Sequence, residues 1–264
     1  MTLLRRPEPQ ADGRYHCITP ANAQWQYVHF AAWDLQPDQV LNLPASANET
    51  CLVLLSGIAT IQAGQQWFAE IGERISVFED KAPHAVYVAP HEVMMIIAHT
   101  PVELAVCAAP SQGNHPTRWF KPDTMSREQR GQSTNTRYVC NILPQDQPAD
   151  SLLVVEVRTP SGHWSSYPPH KHDQDNIPHE TFLEETYYHR LNPHQGFCFQ
   201  RVFTDDLSID ETMSVTDKCV VLVPRGYHPV GVPHGYESYY LNVMAGPTRR
   251  WIFKNHPDHE WILK

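Results

Sequence analysis

Apolar and polar residues alternate in short runs along most of the chain, with proline, glycine and other turn residues between the runs. Period-two alternation predicts β-strands, and many short strands at such spacing are typical of an all-β sandwich or barrel. In the first half the predicted strands are Trp25–Phe30, Cys51–Leu55, Ile58–Ala63, Arg74–Phe78, Val86–Val88, Val93–Ala98 and Leu104–Ala108. In the second half they are Tyr138–Ile142, Leu152–Arg158, Thr186–Leu191, Phe197–Phe203, Met213–Val215, Val220–Val223 and Tyr239–Met244. Helical periodicity is rare, and Thr124–Gly131 supplies at most two turns.

The strands fall into two halves that resemble each other. The segment 110–135 is polar, rich in proline, glycine and serine, and poor in aliphatic residues, which is typical of a linker. We therefore predict an N-terminal β-barrel over residues 1–112, a linker over 113–137 and a C-terminal β-barrel over 138–264. In each half a carboxylate, Glu49 or Glu185, leads into a strand, and this similarity indicates a duplication. The alternative is one continuous sandwich.

Composition and charge exclude several partners. Lys plus Arg total 20 and Asp plus Glu total 29, a net charge of −9, and the chain has no basic run. We therefore expect no nucleic-acid partner. We expect no membrane partner, because no segment reaches the length of about 20 apolar residues that a membrane span needs. The N-terminus lacks the apolar stretch of a signal peptide and the six cysteines are scattered, so we expect a cytoplasmic protein with reduced, buried thiols.

The candidate chemistry centres on the tripeptide His170-Lys171-His172. In an extended segment, residues two apart point to the same face, so both imidazoles can bind one cation. Glu185 and His228, each beside a predicted strand, would complete a site of three histidines and one glutamate with positions open for water or substrate. We predict these four residues as ligands of one divalent metal ion. Such a set suits zinc, manganese, iron or nickel.

Other polar residues near these four are alternatives or neighbours. Glu184 is the second candidate for the carboxylate ligand, because only one of two adjacent strand residues can face inward. His234 follows a turn after His228 and is expected to support the ligands or contact the substrate, and a loop histidine without a role is the alternative. The spacer between His172 and Glu185 is expected to form a loop or lid, although four of its residues could be ligands instead. These four are Asp173, Asp175, His179 and Glu180.

Four residues are candidates for substrate binding. Arg225 and Arg201 could bind a carboxylate, because a guanidinium group matches it with two parallel hydrogen bonds. Lys171 and Tyr227 adjoin the predicted ligands. In the N-terminal half the stretch 43–48, which precedes Glu49, contains no His-x-His pair, so we expect that half to bind no metal.

Four longer strings in the second half resemble the 5-deoxy-glucuronate isomerase family of myo-inositol catabolism, which is similar to the uronate ketol-isomerases. The strings are Ser165-Ser166-Tyr167-Pro168-Pro169-His170-Lys171-His172-Asp173, Leu183-Glu184-Glu185-Thr186-Tyr187-Tyr188-His189-Arg190, Val223-Pro224-Arg225-Gly226-Tyr227-His228-Pro229-Val230 and Tyr239-Tyr240-Leu241-Asn242-Val243-Met244-Ala245-Gly246-Pro247. The resemblance covers nearly the whole chain. It implies a bicupin, with two tandem jelly-roll barrels of the double-stranded β-helix type.

The resemblance also implies an activity. The family isomerises 5-deoxy-D-glucuronate to 5-dehydro-2-deoxy-D-gluconate with a divalent metal, often zinc or manganese, in the C-terminal barrel. By similarity the ligands map onto His170, His172, Glu185 and His228. The spacer before Glu185 is longer than in most cupins, and His228 comes one residue earlier after Gly226 than usual.

The expected reaction moves a proton between adjacent carbons of a sugar acid, which requires a general base. The candidates are Glu184, His234, Tyr188 and a metal-bound hydroxide, and a hydride shift is the alternative. Two rival functions remain open: a cupin dioxygenase with iron at the same ligands, and a sugar-binding bicupin without turnover. We also expect a homo-oligomer, because exposed sheet edges tend to pair.

Overall fold

The computed structural model describes residues 2–263, and most of its regular structure is β-strand. The first eleven strands are β1 (Leu4–Arg5), β2 (Arg14–Ile18), β3 (His29–Leu35), β4 (Val40–Leu43), β5 (Asn48–Ser56), β6 (Ala59–Ala63), β7 (Gln66–Ile71), β8 (His84–Val88), β9 (Met94–Ala98), β10 (Val102–Pro110) and β11 (Arg118–Phe120). The other strands are β12 (Ser126–Arg130), β13 (Arg137–Leu143), β14 (Leu153–Thr159), β15 (Trp164–Ser165), β16 (His170–Lys171), β17 (Glu184–Asn192), β18 (Phe197–Phe203), β19 (Asp210–Thr216), β20 (Val220–Val223), β21 (Val230–Gly231), β22 (Glu237–Ala245) and β23 (Lys254–Asn255). The helical segments are α1 (Pro20–Ala23) and the 3-10 turns Pro122–Thr124, Ser133–Asn135 and Pro257–Leu263. The predicted all-β class is confirmed.

The described chain forms two compact units. The N-terminal unit comprises Pro7–Ser126 and Ile142–Val154, and the C-terminal unit comprises Met1–Arg6, Arg127–Asn141 and Val155–Lys264. The change from one unit to the other between Ser126 and Arg127 falls inside the predicted linker. That segment contains β11, which pairs with β8, as well as β12. The predicted domain limits stay a prediction.

The N-terminal unit is built from a six-stranded sheet of order β11-β8-β5-β10-β3-β2 and a four-stranded sheet of order β4-β9-β6-β7. One buried apolar cluster draws side chains from both sheets, including Leu52 and Leu54 of β5 and Ile61 of β6. The two sheets therefore pack face to face, and burial of these alternating side chains stabilises the unit.

The C-terminal unit contains a seven-stranded sheet of order β1-β20-β17-β22-β14-β13-β12. It also contains a four-stranded sheet, β15-β21-β18-β19, and the pair β16-β23. The side chain of His189 on β17 hydrogen-bonds Gln200 on β18, with 2.9 Å between Nε2 and Oε1, so these two sheets also face each other. Among residues 2–263 the sheets stay separate and do not close into the predicted barrels, because their edge strands do not pair across the unit.

Three local predictions were wrong in whole or in part. The strand predicted at Trp25–Phe30 coincides with β3 only at His29 and Phe30. The segment predicted as helix, Thr124–Gly131, contains strand β12, since pairing next to β13 in the sheet outweighs the helix propensity of its charged residues. The predicted strand at 74–78 is a turn instead. The carboxylate of Glu79 accepts hydrogen bonds from the backbone N–H groups of Ile75 (2.7 Å) and Ser76 (3.2 Å), which bends the chain there.

Candidate metal centre

Three of the four predicted ligands meet inside the C-terminal unit. Each of His172, Glu185 and His228 offers one ligand atom, and these atoms all lie within 4.8 Å of one another. All three side chains are buried. We call them the ligand trio.

Strand β17 and the turn after β20 position two members of the ligand trio. Glu185 is the second residue of β17 and pairs with Val223 of β20 on one side and with Met244 of β22 on the other. The chain then turns at Gly226, whose φ of +95° is in the region that favours glycine. A Cβ there would lie 2.5 Å from the carbonyl oxygen of Phe203. This tight turn brings His228 back towards Glu185.

Hydrogen bonds fix the orientation of both rings in the ligand trio. The Nδ1 atom of His172 lies 3.0 Å from the carbonyl oxygen of Leu183, and that of His228 lies 2.8 Å from the carbonyl oxygen of Gly226. A carbonyl oxygen only accepts, so each Nδ1 carries the hydrogen, and Nε2 of a neutral ring presents a lone pair. Both Nε2 atoms face the same carboxylate oxygen, Oε2 of Glu185, at 3.1 Å for His172 and 3.2 Å for His228.

The two imidazoles of the ligand trio differ in their proton affinity. Burial lowers the pKa of His228 to about 4, so this ring is neutral at neutral pH. Burial would also lower the pKa of His172, but its hydrogen bond to Glu185 and the charge of that carboxylate outweigh burial and raise the pKa. A proton on His172 can thus compensate the negative charge of Glu185. The neutral ring of His228, by contrast, keeps a free lone pair on Nε2.

The Nε2 atom of His228 provides a test of whether these residues fit a metal ion. The buried Nε2 of His228 has no hydrogen-bond partner in the described part of the chain, and its 3.2 Å approach to Glu185 lacks hydrogen-bond geometry. A buried polar atom without a partner costs free energy of about 1–3 kcal/mol. A divalent cation among two imidazole nitrogens and a carboxylate would satisfy all three atoms at once, as such a donor set does in metal proteins. The residues fit a metal ion.

His170, the fourth predicted ligand, lies beside the trio. Its ring centroid is 4.8 Å from that of His228 and 6.3 Å from that of His172, and on its other side it is 4.7 Å from the ring of Phe253. Burial, followed by the charges of its neighbours, lowers the pKa of His170 well below its usual value. The ring is therefore neutral and has a lone pair to offer.

Comparison with known proteins shows the family of this chain. The model of the KduI/IolB family matches residues 3–262. The chain belongs to the KduI/IolB family. A relative from Geobacillus kaustophilus (strain HTA426), named 5-deoxy-glucuronate isomerase, is 54% identical over 262 residues, which are 99% of this chain and 95% of that protein. The family resemblance of the four sequence strings is confirmed.

Solved structures define the fold of this KduI/IolB member. The crystal structure of an IolB-like protein from Salmonella typhimurium LT2 matches with a TM-score of 0.98 and 48% identity, covering 100% of both chains. Lactobacillus farciminis oxalate decarboxylase, a bicupin, matches with a TM-score of 0.65 and 12% identity, over 97% of this chain and 88% of that one. The predicted cupin fold is confirmed. Within residues 2–263, no helix has both the length and the apolar character needed to cross a membrane.

A layer of hydroxyl groups lies next to the ligand trio of this KduI/IolB member. The ring of Tyr187 is 5.5 Å from that of His228 and 4.8 Å from that of Tyr240. The hydroxyl oxygen of Ser166 lies 2.9 Å from the Tyr187 hydroxyl and 3.3 Å from the Tyr240 hydroxyl. Burial raises the pKa of both tyrosines, so both stay protonated and can donate hydrogen bonds. The sequence analysis did not single out Ser166, because an isolated serine carries no pattern.

Lys171 and Tyr227, both predicted to bind substrate, hold carboxylates of the chain itself. The Nζ atom of Lys171 lies 2.8 Å from Asp173 and 2.9 Å from Asp205, and the Tyr227 hydroxyl donates to Asp205 at 2.9 Å. The other oxygen of Asp173 accepts from the N–H of Gly226 at 3.0 Å. This network connects the His-x-His segment to the turn that carries His228.

The two predicted carboxylate-binding arginines are not brought to the ligand trio. Arg201 forms a half-exposed ion pair with Asp210, with 2.7 Å between Nε and Oδ1. Arg225 is exposed and donates to the hydroxyl of Ser208 at 3.0 Å.

The three side chains predicted as general bases also lie away from the trio. Glu184 and Tyr188 are buried on the face of β17 opposite to Glu185, because successive strand residues alternate. His234 is exposed in the turn between β21 and β22.

The loop between His172 and Glu185 contributes no member of the ligand trio. Asp175 and His179 are exposed. Glu180 is buried and accepts a hydrogen bond from the backbone N–H of Asp173 at 2.7 Å. The loop is therefore anchored at its buried ends and presents its middle to solvent.

Proposed function

We propose that this chain is a metal-dependent aldose–ketose isomerase that converts 5-deoxy-D-glucuronate to 5-dehydro-2-deoxy-D-gluconate in myo-inositol catabolism. The observation that carries the proposal is the buried ligand trio, whose lone pairs converge on one point, in a member of the KduI/IolB family. The name of the Geobacillus relative supports the substrate, a small sugar acid.

We further propose that His170 joins the ligand trio as a fourth ligand and that the metal is zinc or manganese. Two observations support His170: its ring is buried beside His228, and its lowered pKa keeps it neutral. When bound by these residues, a divalent cation would polarise a substrate carbonyl as a Lewis acid and would stabilise the negative charge that develops on it.

The residues around the ligand trio have separate tasks in this proposal. Tyr187 and Tyr240, held by Ser166, donate hydrogen bonds to substrate oxygens, since their raised pKa values make them poor bases. Glu184 and Tyr188 lie on the far face of β17 and His234 lies in an exposed turn, so we propose none of these three candidates as the general base. Loss of a general base lowers kcat by about 10²–10⁴-fold.

The test is conversion of 5-deoxy-glucuronate by protein loaded with zinc or manganese, followed by NMR. Wild-type protein should form the 5-dehydro-2-deoxy product, and His170→Ala should lose both metal and activity. The matched control is His194→Ala, which removes an exposed imidazole from a turn of the same unit and should change neither. If the protein converted only a different sugar acid, the substrate assignment would be wrong. Full metal content in His170→Ala would contradict the assignment of His170 as fourth ligand.

Metal analysis with oxygen measurement tests the rival functions. Iron in the purified protein and oxygen consumption with substrate would indicate a dioxygenase. Binding of the sugar acid without any product would indicate a binding protein.

We also propose that the enzyme works in the cytoplasm as a homo-oligomer. The six cysteines are all free thiols, five of them buried, which agrees with a reducing compartment. Sedimentation velocity tests the assembly and cell fractionation tests the compartment.

A further inference from the structure

Two arginines lie at one end of the hairpin formed by β12 and β13, inside the segment that the sequence predicted as linker. Arg130 is the last residue of β12 and Arg137 is the first residue of β13, and the two strands are neighbours in the seven-stranded sheet. A Cβ at Gly131 would lie 2.7 Å from Nη1 of Arg137, so the Arg137 guanidinium lies directly against the turn that follows Arg130.

An aromatic wall connects Arg130 to the ligand histidines. The Arg130 guanidinium carbon lies 5.2 Å from the ring centroid of Trp251. The Trp251 ring is 6.0 Å from that of Phe253, which in turn is 4.7 Å from the ring of His170. Arg130 therefore lies along the same wall as the proposed fourth ligand.

Arg137 lies on the face of the sheet that carries the hydroxyl layer. Its neighbour Tyr138 points to the opposite face, where it contacts Arg158 at 5.8 Å. The charge of Arg137 helps to lower the pKa of Tyr240, opposing the larger effect of burial. The charges of both guanidinium groups also act on His170. Burial and the two neighbouring histidines lower the pKa of His170 most, and the two arginines lower it further.

The Arg137 guanidinium forms no ion pair among the residues that the structure describes, although the charge of Glu128 acts on it from a greater distance. Its hydrogen bond runs from Nη1 to the backbone carbonyl oxygen of Asn135 at 3.1 Å, and no described carboxylate lies within ion-pair distance. Burial lowers the pKa of Arg137, which shows that its charge is partly removed from water. Arg130, by contrast, has a partner, Glu128, at 2.7 Å. A partly buried arginine of this kind favours a bound anion, and its planar guanidinium matches a carboxylate with two parallel hydrogen bonds.

We propose that Arg137, with Arg130 beside it, binds the carboxylate of the sugar acid while the reacting end of the substrate lies at the ligand trio. This inference rests on the proposed isomerase function and replaces Arg201 and Arg225 in the role of carboxylate binder. Specificity for a uronic acid over the corresponding neutral sugar then comes from Arg137.

The test compares two substrates in metal-loaded protein: 5-deoxy-glucuronate and 5-deoxy-glucose, which has an alcohol in place of the carboxylate. Arg137→Met should lower kcat/KM for the acid by about 10- to 100-fold, mainly through KM, because it removes a hydrogen-bonded charge pair. It should leave kcat/KM for the neutral sugar unchanged, and Arg137→Lys should restore part of the loss. Arg158→Met is the matched control, since it removes an arginine from the opposite face, and should behave as wild type for both substrates.

Several results would overturn the assignment. If Arg137 has a purely structural role, Arg137→Met will lower kcat/KM equally for both substrates, or will lower the metal content, which elemental analysis measures. Calorimetric binding of D-glucuronate to the zinc-loaded protein separates this inference from the proposed function, because it requires no turnover. Binding by wild type that is weakened in Arg137→Met supports the carboxylate site even if 5-deoxy-glucuronate is not converted. Equal binding by both proteins, or none by wild type, refutes it.

Discussion

The carboxylate of Glu49 in the N-terminal unit provides a sharp test of the energetics of this fold. Glu49 is fully buried, and its Oε1 accepts backbone hydrogen bonds from Ser151 (2.7 Å) and Leu152 (2.6 Å). Its Oε2 accepts from the backbone N–H of Asp150 (2.8 Å) and from the hydroxyl of Tyr87 (2.7 Å). Four donors therefore depend on one charged side chain.

The perturbation is Glu49→Gln, which keeps the shape but replaces one acceptor oxygen by an NH₂ donor. The two bonds to the remaining oxygen lose their charge-assisted strength, about 1 kcal/mol each, and the N–H of Asp150 loses its acceptor, which costs about 1–3 kcal/mol. The Tyr87 hydroxyl can rotate and accept from the new amide. We therefore expect a loss of about 3–5 kcal/mol in the free energy of unfolding.

Urea unfolding, followed by tryptophan fluorescence and circular dichroism, measures this loss. Tyr87→Phe is the control, because it removes one donor and leaves the three backbone bonds to Glu49 intact; it should cost about 1–2 kcal/mol. If Glu49→Gln were no less stable than Tyr87→Phe, the buried charge would not hold the 150–152 segment and the reasoning would be refuted.

Three further predictions concern the C-terminal unit. Chelation should lower the melting temperature and added zinc or manganese should restore it, since a ligand at 1,000 times its Kd stabilises the native state by about 4 kcal/mol. In a thermal-melt assay, Glu185→Gln should lose most of this shift in melting temperature, and an unchanged shift would exclude Glu185 as a ligand. Burial lowers the pKa of His189 to about 4, so on acidification the unfolded state binds this proton before the folded state does. Stability should therefore fall by up to about 3 kcal/mol as pH drops from 6.5 to 4. His189→Gln should flatten this profile of stability against pH, and parallel profiles of variant and wild type would contradict the argument. Lys171→Met should cost about 3–5 kcal/mol in urea unfolding, because it leaves the partly buried carboxylate of Asp173 without its cation, and a cost below 1 kcal/mol would show that the ion pair is dispensable.

The fold and the ligand trio could be predicted from sequence because both depend on local patterns. Strands β17, β18 and β20 follow period-two or continuous apolar runs bounded by turn residues. The members of the trio are chemically distinctive residues next to strand ends, where a period of two decides which side chain faces inward. Glu185 was chosen over Glu184 because the period puts it on the same face as Tyr187 and His189, and the structure places Glu185 in the trio.

The substrate-binding residues could not be predicted in the same way, because a charge in the sequence does not reveal its partner. Arg201 has an ion-pair partner on the adjacent strand, Asp210, and Lys171 has one in the loop after β18, Asp205. Arg130 and Arg137 fall in a polar stretch whose composition favours a linker, and only the pairing of β12 and β13 brings them to one end of the sheet.

The duplicated architecture shows how one carboxylate position supports two different roles. Glu49 and Glu185 each lie at the second residue of a nine-residue central strand, β5 or β17. Peptide N–H groups and a phenol donate to Glu49, so its charge is satisfied by protein atoms and needs no cation. The Nε2 atoms of two imidazoles face Glu185 instead, because the Nδ1–H groups of the same rings donate to carbonyl oxygens. Lone pairs on two nitrogens and a carboxylate repel one another unless a proton or a metal ion lies between them. The groups opposite the carboxylate, rather than the carboxylate itself, therefore determine which of the two positions could hold a metal ion.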